Sequence, residues 1–138
     1  MFEQCLYFNT TSLARKLERE WSAAFKPFGL TPAQAFLLRM VLAEAGRHQG
    51  DLAQGMNIAT ATLSRTLDGL EKLGWVERRV SSQDSRGIQV FPTRKARAIA
   101  QELDAASGAV TKKFKRLLGS SEFDDVVSRL RAISDALG

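Results

Sequence analysis

Histidine and cysteine are almost absent from this 138-residue chain: there is one of each, His48 and Cys5. A zinc site of cysteines and histidines cannot be assembled from them, nor can an intramolecular disulfide. Catalytic sets are equally short of parts. No Gly-rich phosphate loop is present, and nothing in AGRHQGD, around His48, suggests a Ser-His-Asp or Cys-His arrangement. The chain therefore reads as a non-enzyme with no cofactor and no metal, and His48 as a solvated loop residue. Long apolar runs are missing too. None approaches the roughly 20 residues that a membrane span needs. The first residues, MFEQCLYFNTTSLARK, lack a basic segment followed by an apolar core, and Glu3, Glu18 and Glu20 do not suit a transit peptide. The expected location is cytoplasmic, with no membrane partner.

What is present suits a single domain spanning residues 1–138. The chain is 44% hydrophobic and 25% charged, which argues against disorder. Its net charge of +5 is unevenly placed. Residues 1–59 carry six basic and five acidic side chains, and residues 98–138 carry six of each. Residues 60–97 carry eight basic (Arg65, Lys72, Arg78, Arg79, Arg86, Arg94, Lys95, Arg97) against four acidic. A positive excess confined to one block fits phosphate neutralisation better than general solubility.

Periodicity supplies the elements. Ala14, Leu17, Trp21, Ala24, Phe25 and Phe28 recur at helical spacing within a long helix over 4–28. Thr31-Pro32 is a cap followed by proline at the first helical position, and opens an apolar, core-crossing helix over 32–45. A short helix over 51–56 ends at Asn57, which tolerates the left-handed turn. The next helix, 60–73, buries Leu63, Leu67 and Leu70 and ends at Gly74. The period then drops to two. WVERRV (75–80) and IQVFP (88–92) alternate on either side of the turn-rich SSQDSRG, with Val76 and Val80 on one face of the first strand. Helices over 93–118 and 120–137 follow, with apolar stripes through Ile99, Leu103 and Phe114 and through Val127, Leu130 and Ile133.

Helix, tight turn, helix and hairpin in that order form a helix-turn-helix with a wing, whose second helix fits the major groove. The residues near its N-terminus are Thr60, Ala61, Thr62, Ser64 and Arg65, small or hydrogen-bonding, and Arg65 alone could grip a guanine with two bonds. Two readings of the threonines are open: base contacts, or an ordinary exposed face. The wing carries Arg78, Arg79 and Arg86. An arginine at such a tip suits a narrow minor groove. Asp84 suits a brace for a nearby arginine, Arg78 or Arg79. Three unrelated arginines on a solvated turn is the plain alternative.

LTPAQAFLL, LAQGMNIATATLSRTLDGLEKLGWVERR, DSR and PTRKARAIAQEL together resemble the MarR family of winged helix-turn-helix regulators, from about Leu30 to Leu103. The resemblance implies a mainly helical α+β fold, with a winged helix-turn-helix lobe over about 30–97 and dimerisation helices over about 1–28 and 98–138. It places Arg86 in the minor groove, makes Asp84 the wing's brace, and puts recognition-helix contacts on Thr60, Thr62, Ser64 and Arg65. The chain departs from the family at Asn57, where glycine is frequent, and at Thr93-Arg94-Lys95-Ala96, where Thr-Glu-Lys-Gly is frequent. The apolar stripes at 14–28, 99–117 and 123–137 exceed what a compact winged helix needs. They suit either a homodimer or packing within one chain.

The implied function is a sequence-specific, double-stranded-DNA-binding regulator, a repressor that covers a pseudo-palindromic operator as a homodimer and answers to a small aromatic effector. Trp21, Phe25, Phe28 and Phe36 could wall the effector cleft, or could simply be core. Cys5 lies where oxidant-sensing members of the family carry their cysteine, but Tyr7 is the only tyrosine at hand. A small apolar residue in the core or at an interface is the other reading of Cys5. Another alternative is a winged helix used for protein contacts or for sequence-blind nucleic-acid binding.

Overall fold

The computed structural model describes residues 1–81 and 87–138. Helix α1 (Leu6–Phe25) runs into a 3-10 turn (Lys26–Phe28), followed by α2 (Pro32–Ala43), β1 (Arg47–His48), α3 (Gln49–Met56), α4 (Thr60–Lys72), β2 (Val76–Val80), β3 (Ile88–Pro92), α5 (Arg94–Ala98), α6 (Ala100–Leu118) and α7 (Ser120–Ala136). The three strands form one antiparallel sheet in the order β1-β3-β2. This is a winged helix-turn-helix with long flanking helices. Among the described residues, no helix is long and apolar enough to cross a membrane.

The local signals behave as their chemistry requires. The Thr31 hydroxyl accepts from the Gln34 N–H at 3.2 Å, and the Gln34 side chain accepts from the Thr31 N–H at 3.0 Å. That reciprocal box satisfies two helix-end donors of α2. Asn57 adopts φ 59° and closes α3, and Gly74 adopts φ 82° at the end of α4. Leu63, Leu67 and Leu70 of α4 meet Leu37, Leu38 and Val41 of α2, Leu52 of α3 and Val76 and Val90 of the sheet in one fully or nearly fully buried core.

Four expectations need correction. The first helix stops at Phe25, because Pro27 cannot donate a helical N–H and sits in the 3-10 turn, with Gly29 left-handed at φ 70° behind it. The third helix begins at Gln49, two residues before the periodic segment. The helix expected over 93–118 is two helices, broken at Ile99 (φ −106°, ψ 4°), whose N–H donates to the Ala96 carbonyl, one residue short of a helical bond. The break lets α5 follow the sheet while α6 turns along α1 and α2. Finally, His48 is a half-buried residue of β1, paired with Gln89 of β3, and not a solvated loop residue.

Candidate nucleic-acid interface

Helix α4 has two unlike sides. Its leucines are in the core, while Thr60, Ala61, Thr62 and Arg65 are exposed and Ser64 is half-buried. The exposed side is held in order locally. Arg65 Nη2 donates to Thr62 Oγ1 at 3.4 Å, and the Thr66 hydroxyl donates to the Thr62 carbonyl at 2.9 Å. At the far end, Lys95 Nζ donates to the Leu73 carbonyl at 2.8 Å and lies 4.1 Å from the Trp75 ring centroid. A cation there suits the negative end of the helix dipole.

The wing arginines are placed very differently from one another. Arg79 is mostly exposed. Its guanidinium lies over the Phe91 ring at 4.3 Å and donates to Glu77 at 3.0 Å. Arg78 points to the inner face and its side chain is 19% exposed. Its Nη2 donates to Asp68 Oδ1 and, at 3.0 Å, to Glu71 Oε1; its Nη1 donates to Gln49 Oε1 at 3.4 Å. Its backbone N–H donates to Glu71 Oε2 at 3.2 Å. These hydrogen bonds from Arg78, set against partial burial, hold the Glu71 carboxyl below the usual carboxylate range. Arg78 thus meets carboxylates on α4, which sequence reasoning did not foresee. Asp84 and Arg86 lie outside the described residues.

A model of the MarR family matches residues 28–87. Over 89 residues the chain is 32% identical to the HTH-type transcriptional repressor Rv2887 of Mycobacterium tuberculosis (strain ATCC 25618 / H37Rv). Over these residues the chain is similar to the MarR family. The match to Rv2887 spans 64% of this chain and 64% of that relative, just under two thirds of its length. Among solved structures, the transcriptional repressor CouR bound to a 23-mer DNA duplex superposes with a TM-score of 0.84 at 27% identity, over 96% of this chain and 94% of that one. The Staphylococcus aureus MepR–DNA complex superposes with a TM-score of 0.87, over 99% of this chain and 100% of that one. At 18% identity, the second likeness speaks for the fold alone.

Besides its helix-turn-helix, the chain has an open cleft of about 640 Å³ between α1, α2 and the end of α3. Trp21 and Phe36 line it, with Leu17, Glu18, Met40 and Met56. Phe25 is fully buried beneath Phe36, ring edge to ring face at 5.8 Å, and Phe28 packs against the core. Neither is among the cleft's walls. Trp21 is fixed from behind: its Nε1 donates to Ser107 Oγ at 3.3 Å and its ring stacks on Phe114 at 5.8 Å. Glu18 was legible as a lining residue, since it sits one helical turn from Trp21; Met40 and Met56 come from other elements and were not. Beside this cleft, Arg39 pairs with Asp104 at 2.8 Å, joining α2 to α6.

Cys5 is exposed at the start of α1, where its carbonyl accepts from Asn9 Nδ2 at 2.8 Å. It is not a core residue of the single chain. Around it, Phe2, Leu6, Tyr7 and Phe8 are exposed, and so are Val127, Leu130 and Ile133 of α7 and Leu137 just beyond its end. Leu6 and Tyr7 share a groove with Leu130, Ile133 and Leu137.

Proposed function

We propose that this chain is a sequence-reading, double-stranded-DNA-binding transcriptional repressor that works as a homodimer. The observation that carries this reading is α4. It offers solvent a face of small hydrogen-bonding residues ending in Arg65, while its leucines anchor it rigidly from behind. Such a face suits entry into a major groove. The likeness to Rv2887, a repressor, and to CouR on its DNA duplex supports the same reading. Arg79 supplies a phosphate contact, and Arg86 reaches the minor groove. The bare apolar faces of α7 and of the start of α1 pair with those of a second copy, because exposed stripes this long are costly in water.

The effector site is the cleft at Trp21 and Phe36. Its walls are largely apolar, and among the described residues Glu18 is the only ionisable one that lines it. The cleft therefore suits a small aromatic molecule that is neutral or cationic, in preference to a carboxylate.

Fluorescence anisotropy tests the main reading. At fixed salt, the chain should bind one duplex much more tightly than a scrambled duplex of equal length and composition. Equal affinity for both would point instead to sequence-blind binding.

A further inference from the structure

We infer that Arg78 is a positioning residue for DNA recognition: clamped by Asp68 and Glu71 of α4, it sets the wing's angle to that helix and makes no phosphate contact. This rests on the DNA-reading function proposed above and concerns how that reading stays specific. Three placements carry it. Asp68 and Glu71 stand one helical turn apart on α4, so both carboxylates face the same neighbour. Arg78 lies in the middle of β2, opposite the buried Val90 of β3, so its guanidinium emerges beneath the sheet and toward α4. Gln49, at the first position of α3, accepts from the same guanidinium. One side chain therefore joins both helices of the helix-turn-helix to the wing.

Charge decides what the guanidinium can touch. It faces two carboxylates, so the cluster as a whole carries a net charge of −1 when all three groups are ionised. A phosphate would have to displace an acceptor already at hydrogen-bond distance and approach a site of its own sign. Arg79 is the contrast, with 60% of its side chain exposed and, among the described residues, Glu77 as its one carboxylate partner. The planar fork matters as well. It serves Asp68, Glu71 and Gln49 at once, which a lysine ammonium on a flexible stem does not reproduce.

The test compares Arg78→Met, Arg78→Lys and Arg79→Ala in the full chain. The probes are the duplex most enriched from a random library and a scrambled duplex. Affinities are measured across a salt series. Arg78→Met should shrink the ratio of enriched to scrambled affinity by roughly tenfold or more, with the salt slope unchanged, and Arg78→Lys should not restore the ratio. Arg79→Ala should weaken both duplexes alike and lower the slope by up to about 0.9. A slope lowered equally by Arg78→Met, with the ratio intact, would overturn the proposal. Asp68→Asn combined with Glu71→Gln gives a second reading if Arg78→Met folds poorly. Freeing Arg78 should then steepen the slope by about one phosphate while the ratio falls; an unchanged ratio overturns the positioning role. If the unaltered chain binds both duplexes equally, the DNA-reading function fails first, and the role of Arg78 with it.

Discussion

Helices α4 and α7 carry similar apolar stripes and meet opposite fates. In α4, Leu63, Leu67 and Leu70 are wholly buried beneath α2, α3 and the sheet. In α7 no side chain is buried, and Val127, Leu130 and Ile133 each remain about 40% exposed. A periodic stripe states that a face wants cover, not where the cover comes from. For α4 it comes from the same chain, which makes that helix a rigid platform for its opposite, polar face. For α7 the proposed cover is a second copy.

The largest expected effect separates the two stripes. Leu67→Ala should cost about 2–5 kcal/mol of folding stability, read from urea unfolding, because a cavity opens in a closed core. Leu130→Ala should instead weaken association, so that the unfolding midpoint falls and becomes less dependent on protein concentration once dimer gives way to folded monomer, as expected where stability is linked to association. Replacing both Leu130 and Ile133 by Asp should turn a dimer into a monomer in sedimentation equilibrium. A dimer that survives that pair of changes would place the interface elsewhere.

Smaller effects sharpen the contrast on the polar side of α4. Arg65→Ala should cost about 1–3 kcal/mol of binding to the preferred duplex and flatten the preference at one base position. A uniform loss over all sequences would make Arg65 a phosphate contact. Arg86→Ala should lower the salt slope by roughly one phosphate's worth or less.

The smallest effect is that of pH on the Arg78 clamp. Glu71 titrates below the usual range in the folded chain, so its contribution is fully present above the ordinary glutamate value. That contribution fades as pH falls through the depressed folded value. A carbon-13 titration of the Glu71 carboxyl should show the depression in the native chain and its return to the ordinary range in Arg78→Met.

Much of the fold is legible in the sequence wherever the signal is local. Thr31-Pro32 marks a helix start, Asn57 and Gly74 mark left-handed ends, and period-two alternation marks both long strands. What the sequence hides is set by tertiary contacts. Strand β1 has two residues and no period. The apolar spacing of Ala96, Ile99 and Leu103 runs straight through the break at Ile99, where α5 stays beside the sheet and α6 turns along α1, with α2 touching both. The Arg78 clamp is half legible. The alternation that puts Val76 and Val80 on one face puts Arg78 there too, between them and toward α4. The carboxylates waiting for it lie seven and ten residues back, where no strand pattern reaches.

The most direct test of the central claim is selection of bound duplexes from a random DNA library at near-physiological salt. Enrichment of a pseudo-palindrome with half-sites about 10 base pairs apart is the expected result, since two α4 helices related by a two-fold axis would read it. Binding without enrichment of any sequence would contradict the claim that α4 reads bases.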